Sequence, residues 1–200
     1  MDAYFYADDS GHVIFTAPSN GAVSTPGAGP DHTRSELREL YTGPGAVAKD
    51  WNSSIGGMMT ATVTIKSMAM NSDVVSIGQI HGQDHTFMLL LYRRLTNDVV
   101  VDIYATNITG SNHLRTPILT GVEMGDTINY SIRYIGDTIT TKAEDVTTMS
   151  GEKTNSQTLD PSWAGAPVYF KIGAYHSVPN TGNPGGDQTR VSVSAVSVSH

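Results

Sequence analysis

The chain has 200 residues, 38% of them hydrophobic and 16% charged, enough for one sizeable core, so a single domain over residues 1–200 is expected. Twelve Lys and Arg against 19 Asp and Glu give a net charge of -7, which argues against a general affinity for nucleic acid or an anionic membrane. There is no cysteine, which excludes disulfides, thiolate metal sites and a cysteine nucleophile. The opening residues MDAYFYADDSG lack the basic and apolar regions of a secretory signal, and no apolar run approaches membrane-spanning length. The expected location is therefore cytoplasmic, or secreted or periplasmic after loss of a signal.

Strand signals recur along the chain, and no segment holds a helical apolar period for three turns, so the fold class expected is all-β, a sandwich of short antiparallel strands. Thr33 to Leu40 alternates weakly. Ala61 to Lys66, Val74 to His81, Thr86 to Arg94 and Val99 to Tyr104 follow. Thr127 to Tyr134 is the clearest, with Ile128, Tyr130, Ile132 and Tyr134 alternating with Asn129, Ser131 and Arg133, one buried face and one wet. Asp160 to Trp163 predicts a short helical turn, Asp as N-cap and Pro at the first position. Val168 to His176 and Val191 to Val198 complete the set, the last slipping phase at Ala195-Val196, which predicts a bulge. Pro26-Gly27, Gly43-Pro44-Gly45, Gly56-Gly57, Gly136-Asp137 and the run Asn180 to Asp187 punctuate the strands as turns.

Three segments place chemistry-bearing residues two apart on a strand, and so on one face. In RSELR, Arg34, Glu36 and Arg38 share a face and Leu37 points away. In QIH, Gln79 and His81 oppose Ile80. In YFKIGAY, Tyr169, Lys171, Gly173 and Tyr175 line one side, with Phe170, Ile172 and Ala174 an apolar stripe on the other. Were the three strands neighbours, they would form a cationic, aromatic wall on an acidic protein. Arg and Lys bind carboxylates, and Tyr rings stack on sugar faces, so the wall suits an acidic polysaccharide. Glu36, between two Arg, reads as an orienting carboxylate. A second clear carboxylate is lacking, so the paired acids of glycoside hydrolysis are not evident. Elimination needs other groups: a neutraliser for a uronate carboxylate, a base for the proton on the adjacent carbon, and an acid for the departing oxygen. Arg and Gln suit the first, His or Tyr the second, Tyr the third.

RSELR, QIH and YFKIGAY resemble, in order and spread, the three signature motifs of polysaccharide lyase family seven, the alginate lyases. The resemblance spans about Arg34 to Tyr175. It implies a jelly-roll β-sandwich of two antiparallel sheets with a concave substrate groove, and β-elimination on alginate without cofactor or metal. Carried onto this chain, it implies that Arg34 and Gln79 neutralise the carboxylate and that His81 assists as base or neutraliser. Tyr175 would be the acid, and also the base in a syn elimination, while Lys171 and Arg38 bind neighbouring uronates, with Glu36 and Tyr169 beside them. Isoleucine in QIH is associated in the family with guluronate-containing substrates. One departure is His176-Ser177, where the family usually continues Asn-Gln after the tyrosine.

Other readings compete. Arg34, Glu36 and Arg38 taken alone could be a solvated charge ladder, and Tyr169 and Tyr175 ordinary strand packing. His81, Asp84 and His85 lack a strong metal-ligand signature, Asp8 to Gly11 lacks a calcium-ligand series, and Ser35 and Ser177 have no triad around them. A lyase for another polyuronate such as glucuronan, a non-catalytic polysaccharide-binding module and a domain of a larger protein are the functional alternatives. The acid and base together favour an enzyme, which is expected to act as a monomer on an anionic polysaccharide, with no nucleic acid or membrane partner.

Overall fold

The structure, a computed structural model, describes residues 4–21, 32–70, 72–82, 86–104, 113–176 and 187–200. Thirteen strands are seen among the described residues: Phe5–Ala7 (β1), Val13–Pro18 (β2), Arg34–Arg38 (β3), Gly57–Ser67 (β4), Val74–Gly82 (β5), Thr86–Arg93 (β6) and Asp98–Ile103 (β7), then Leu114–Thr120 (β8), Thr127–Ile135 (β9), Thr138–Asp145 (β10), Lys153–Thr158 (β11), Val168–His176 (β12) and Gln188–Ser199 (β13). They form two antiparallel sheets, ordered β1-β2-β13-β4-β9-β10-β11 and β3-β12-β5-β6-β7-β8. This is the expected jelly-roll β-sandwich.

The core lies between the sheets and is built by the inward positions of each strand: Met59, Ala61, Val63 and Ile65 of β4 meet Ile128, Tyr130, Ile132 and Tyr134 of β9 and Phe170, Ile172 and Ala174 of β12. The alternation read from the sequence in β9 and β12 therefore faces as expected. Pro161–Trp163 forms a single 3-10 turn, whose Asp160 cap accepts the Ser162 amide at 2.9 Å. The predicted bulge in β13 falls between Val193 and Ala195.

Five strands lack the signal by which the others were predicted. β10 and β11 are Thr-, Ser- and Lys-rich, so their apolar alternation is thin. β8 carries Pro117, which cannot donate to a ladder but is tolerated because β8 ends its sheet. β1 and β2 were passed over, although Ile14, Phe15 and Ala17 are buried.

Two local features set the shape of the sheet that carries the three motifs. β5 bulges against β6 between Ser76 and Gly78, and the phenol of Tyr130 fastens this irregularity from the opposite sheet by donating to the Ile77 carbonyl at 2.7 Å. In β12, a Cβ on Gly173 would collide with the Ser35 carbonyl and lie 2.7 Å from Glu36 Cα. Only glycine lets β3 approach β12 this closely.

Candidate active site

The six-stranded sheet brings the three motifs together, with YFKIGAY in the middle: β12 pairs β3 on one side and β5 on the other. The register places Arg34 opposite Tyr175, Glu36 opposite Gly173, and Arg38 opposite Lys171. On the other side Gln79 stands opposite Lys171 and His81 opposite Tyr169. Opposed residues share a face of the pleat, so all eight expected site residues stand on the face turned away from the core.

Glu36 is the hub of this wall. One carboxylate oxygen accepts from the Gln79 amide and the other from the Lys171 ammonium, bonds strengthened by charge. One amide hydrogen is thereby held by Glu36, which fixes the side chain and leaves the second hydrogen as a donor. Lys171 and Glu36 side chains are largely enclosed, 12% and 3% exposed.

His81 is held through Nδ1, which lies 2.5 Å from the carbonyl of Gly82 and 3.2 Å from the Tyr169 hydroxyl. A carbonyl only accepts, so Nδ1 carries the proton and Nε2 keeps its lone pair. Burial pushes the His81 pKa below its ordinary value. The Gly82 carbonyl opposes this, Lys171 adds to it, Glu36 opposes and Arg34 adds. The imidazole is consequently neutral near pH 7, as a base must be. The Tyr169 ring stacks on it at 5.5 Å and 30°.

Tyr175 has the opposite tuning. Burial raises its pKa, Arg34 opposes this and Glu36 adds to it, so the phenol holds its proton at neutral pH. The Arg34 guanidinium lies over its ring at 4.6 Å, and the His32 ring meets it edge-on at 5.7 Å. A neutral base and a protonated acid thus stand on adjacent strands beside cations and a fixed amide. That set can take a proton from carbon, hold the resulting anionic carboxylate and protonate a leaving oxygen.

Tyr175 also lines a cleft of about 300 Å³ with Ser76, Leu89, Leu91, Arg93, Tyr104 and Arg115. Leu89 and Leu91 belong with Val100 to a small apolar cluster. At its far side Asp102, fully buried, accepts Arg115 Nε at 2.7 Å and His113 Nδ1 at 2.6 Å, and Tyr104 stacks on His113 at 4.8 Å. The sequence reading missed this cluster. Its one signal was Asp102 within the otherwise apolar VVVDI, since a carboxylate buried in a strand calls for a cation.

His176 does not face the groove. Its side chain is buried and Nε2 donates to the Ala17 carbonyl at 2.6 Å, so the departure from Asn at this position lies behind the sheet. Ile80 likewise packs in the core. Asp84 and His85 of the metal candidate, Ser177, and most of the predicted turn Asn180 to Asp187 lie outside the described residues.

Comparison with known proteins bears on the family and the fold. The model of the family described as alginate lyase matches residues 1–200. No match is found among curated protein sequences. Among solved structures, a variant of family 7 alginate lyase A1-II′ in complex with substrate (GGMG) has a TM-score of 0.82 at 22% identity, with 100% of this chain and 82% of that one covered. The alginate lyase from Klebsiella pneumoniae scores 0.84 at 21% identity, covering 98% and 84%. Alginate lyase PA1167 from Pseudomonas aeruginosa scores 0.79 at 22% identity, covering 100% and 87%. At these identities the structures speak for the fold, while the match along the full length of the sequence assigns the kinship: the chain belongs to the alginate lyase family.

Proposed function

We propose that the chain cleaves alginate by β-elimination, releasing oligomers with an unsaturated uronate end. The observation that carries this reading is the placing of Arg34, Gln79, His81 and Tyr175 on one face of three adjacent strands. Arg34, with the Gln79 amide fixed by Glu36, neutralises the uronate carboxylate. The adjacent carbon then loses its proton to Nε2 of His81. The electron pair forms the new carbon–carbon double bond, the glycosidic carbon–oxygen bond breaks, and Tyr175 donates its proton to the departing oxygen. Lys171 and Arg38 supply charge for neighbouring uronates, with Tyr169 beside them. No step calls for a metal or cofactor. A guluronate preference linked to Ile80 would act indirectly, by setting the lie of Gln79 and His81, because that side chain is buried. The enzyme works as a monomer, and a polymeric substrate implies a secreted or periplasmic setting.

Incubation with separate poly-mannuronate, poly-guluronate, mixed alginate and glucuronan, followed by the ultraviolet absorbance of the new double bond, tests the reading. Absorbance should grow on an alginate block. Binding without absorbance on any of the four would make the chain a polysaccharide-binding module, and absorbance on glucuronan alone would replace the substrate.

A further inference from the structure

We propose that Asp50, which lies outside all three motif strands, is a positioning residue that fixes His81 through Arg38 and Tyr169. The inference rests on the lyase reading and adds a residue to it.

The chain of contacts is short. Asp50 is 1% exposed and accepts Arg38 Nη2 at 2.5 Å. The Arg38 guanidinium carbon sits 3.8 Å above the centroid of the Tyr169 ring, a separation at which cation and ring attract. Tyr169 in turn stacks on His81 and places its hydroxyl 3.2 Å from Nδ1. Asp50 thus holds the cap that holds the ring against which the imidazole rests.

Two features show that the surroundings are built to keep Asp50 in place. The first is its backbone. Val47 and Asp50 exchange amide-to-carbonyl bonds of 2.9 and 2.8 Å around Ala48 and Lys49, whose φ values are 51° and 69°. A two-residue turn of this hand is normally made with Asn and Gly, and left-handed backbone in other residues costs roughly 1–2 kcal/mol each. The strain is held in by the next residue, because Trp51 pairs through both backbone groups with Val168 at 3.0 and 2.7 Å. Val168 opens β12, so the turn is registered to the strand that carries Tyr169. Strain kept by an over-determined frame marks a place where position matters.

The second is the carboxylate. Oδ2 of Asp50 is buried without a hydrogen-bond partner, an arrangement whose cost a merely structural turn has no need to bear. A buried charge with one open oxygen is suited to gripping a single cation. Arg38 is therefore engaged on two sides, by Asp50 in its plane and by Tyr169 across its face.

The test compares the unaltered chain with Asp50→Asn, Arg38→Met and the double variant. Because the residues act in series, each single change is expected to lower kcat about tenfold, as modest misplacement of a reacting group does, with KM changed less than twofold in Asp50→Asn and raised in Arg38→Met, which also removes a charge offered to a neighbouring uronate. The double variant should cost no more than the worse single one. A second readout needs no turnover: the carbon-bound ring protons of His81, shifted in the NMR spectrum by the stacked Tyr169 ring, should move in both single variants while thermal melting still shows a folded chain. Unmoved His81 signals in Arg38→Met, whether or not Asp50→Asn folds, would overturn the proposal. So would multiplicative losses of kcat in the double variant. Failure of the lyase reading looks different: the unaltered chain gives no double-bond absorbance, and the His81 signals still decide whether Asp50 positions that ring.

Discussion

Arg34 and Tyr175 are register partners across β3 and β12, and the guanidinium of one covers the ring of the other at 4.6 Å. A single cation thus stands beside both the carboxylate to be neutralised and the phenol that protonates the leaving oxygen. Tyr175→Phe keeps the ring and its contact and removes only the transferable proton. Turnover should fall by roughly a thousandfold, within the range for loss of a general acid, while calorimetry with a uronate oligomer shows binding within a few-fold of the unaltered chain. Turnover near the original level would remove Tyr175 from the mechanism.

The pH profile should report His81. Its pKa is lowered, chiefly by burial, and the neutral form acts, so kcat/KM should fall only as pH drops through a value below about 6.5, the ordinary histidine value. His81→Asn should abolish that limb along with most activity. Stability should weaken in the same direction. His176 is also buried with a lowered pKa, so below about pH 6.5 the unfolded chain binds more protons than the native one and folding loses free energy. Acid titration of the melting temperature measures this.

Gly173→Ala should detach β3. The added methyl meets the backbone of Ser35 and Glu36, which cannot yield as a flexible side chain would. We expect a loss of about 3 kcal/mol, as for overpacking at its upper end, read from urea unfolding. Activity should vanish while far-ultraviolet circular dichroism stays close to that of the original sandwich. An active, equally stable variant would contradict the strand pairing described.

Arg115→Ala should affect the hold on the polymer more than the chemistry. The guanidinium is steadied by buried Asp102 yet its side chain is 54% exposed, and it shares a cleft with Tyr175. KM for polymer should rise several-fold and kcat change little, because an exposed charged contact contributes on the order of 1 kcal/mol. Steady-state kinetics on polymer and short oligomers separate the two effects.

The eight site residues were legible because they sit at a period of two on their strands, with an apolar residue between in every case but Ser35, as in Gln79-Ile80-His81. That β12 lies between β3 and β5 was not legible, since strand order depends on long-range pairing that no local pattern encodes. Asp50 was hidden for another reason: it belongs to a turn, where side-chain direction follows backbone dihedrals and not a repeating period. Asp102 and Arg115 stand on two strands, and only the pairing Asp102↔Arg115 makes them one cluster. β10 and β11 were illegible because polar residues occupy most of their positions.

Among the described residues β3 has a strand partner on one side only, and Arg34, Glu36 and Arg38 stand along it. An unpaired strand margin invites a second chain to add itself, and alternating charges along it discourage that. Arg34 and Arg38, proposed to gather a polyanion, thus also charge the strand at which a second copy would have to add itself. A variant with Arg34, Glu36 and Arg38 all made neutral is therefore expected to lose its substrate and to self-associate, which sedimentation at rising concentration would show.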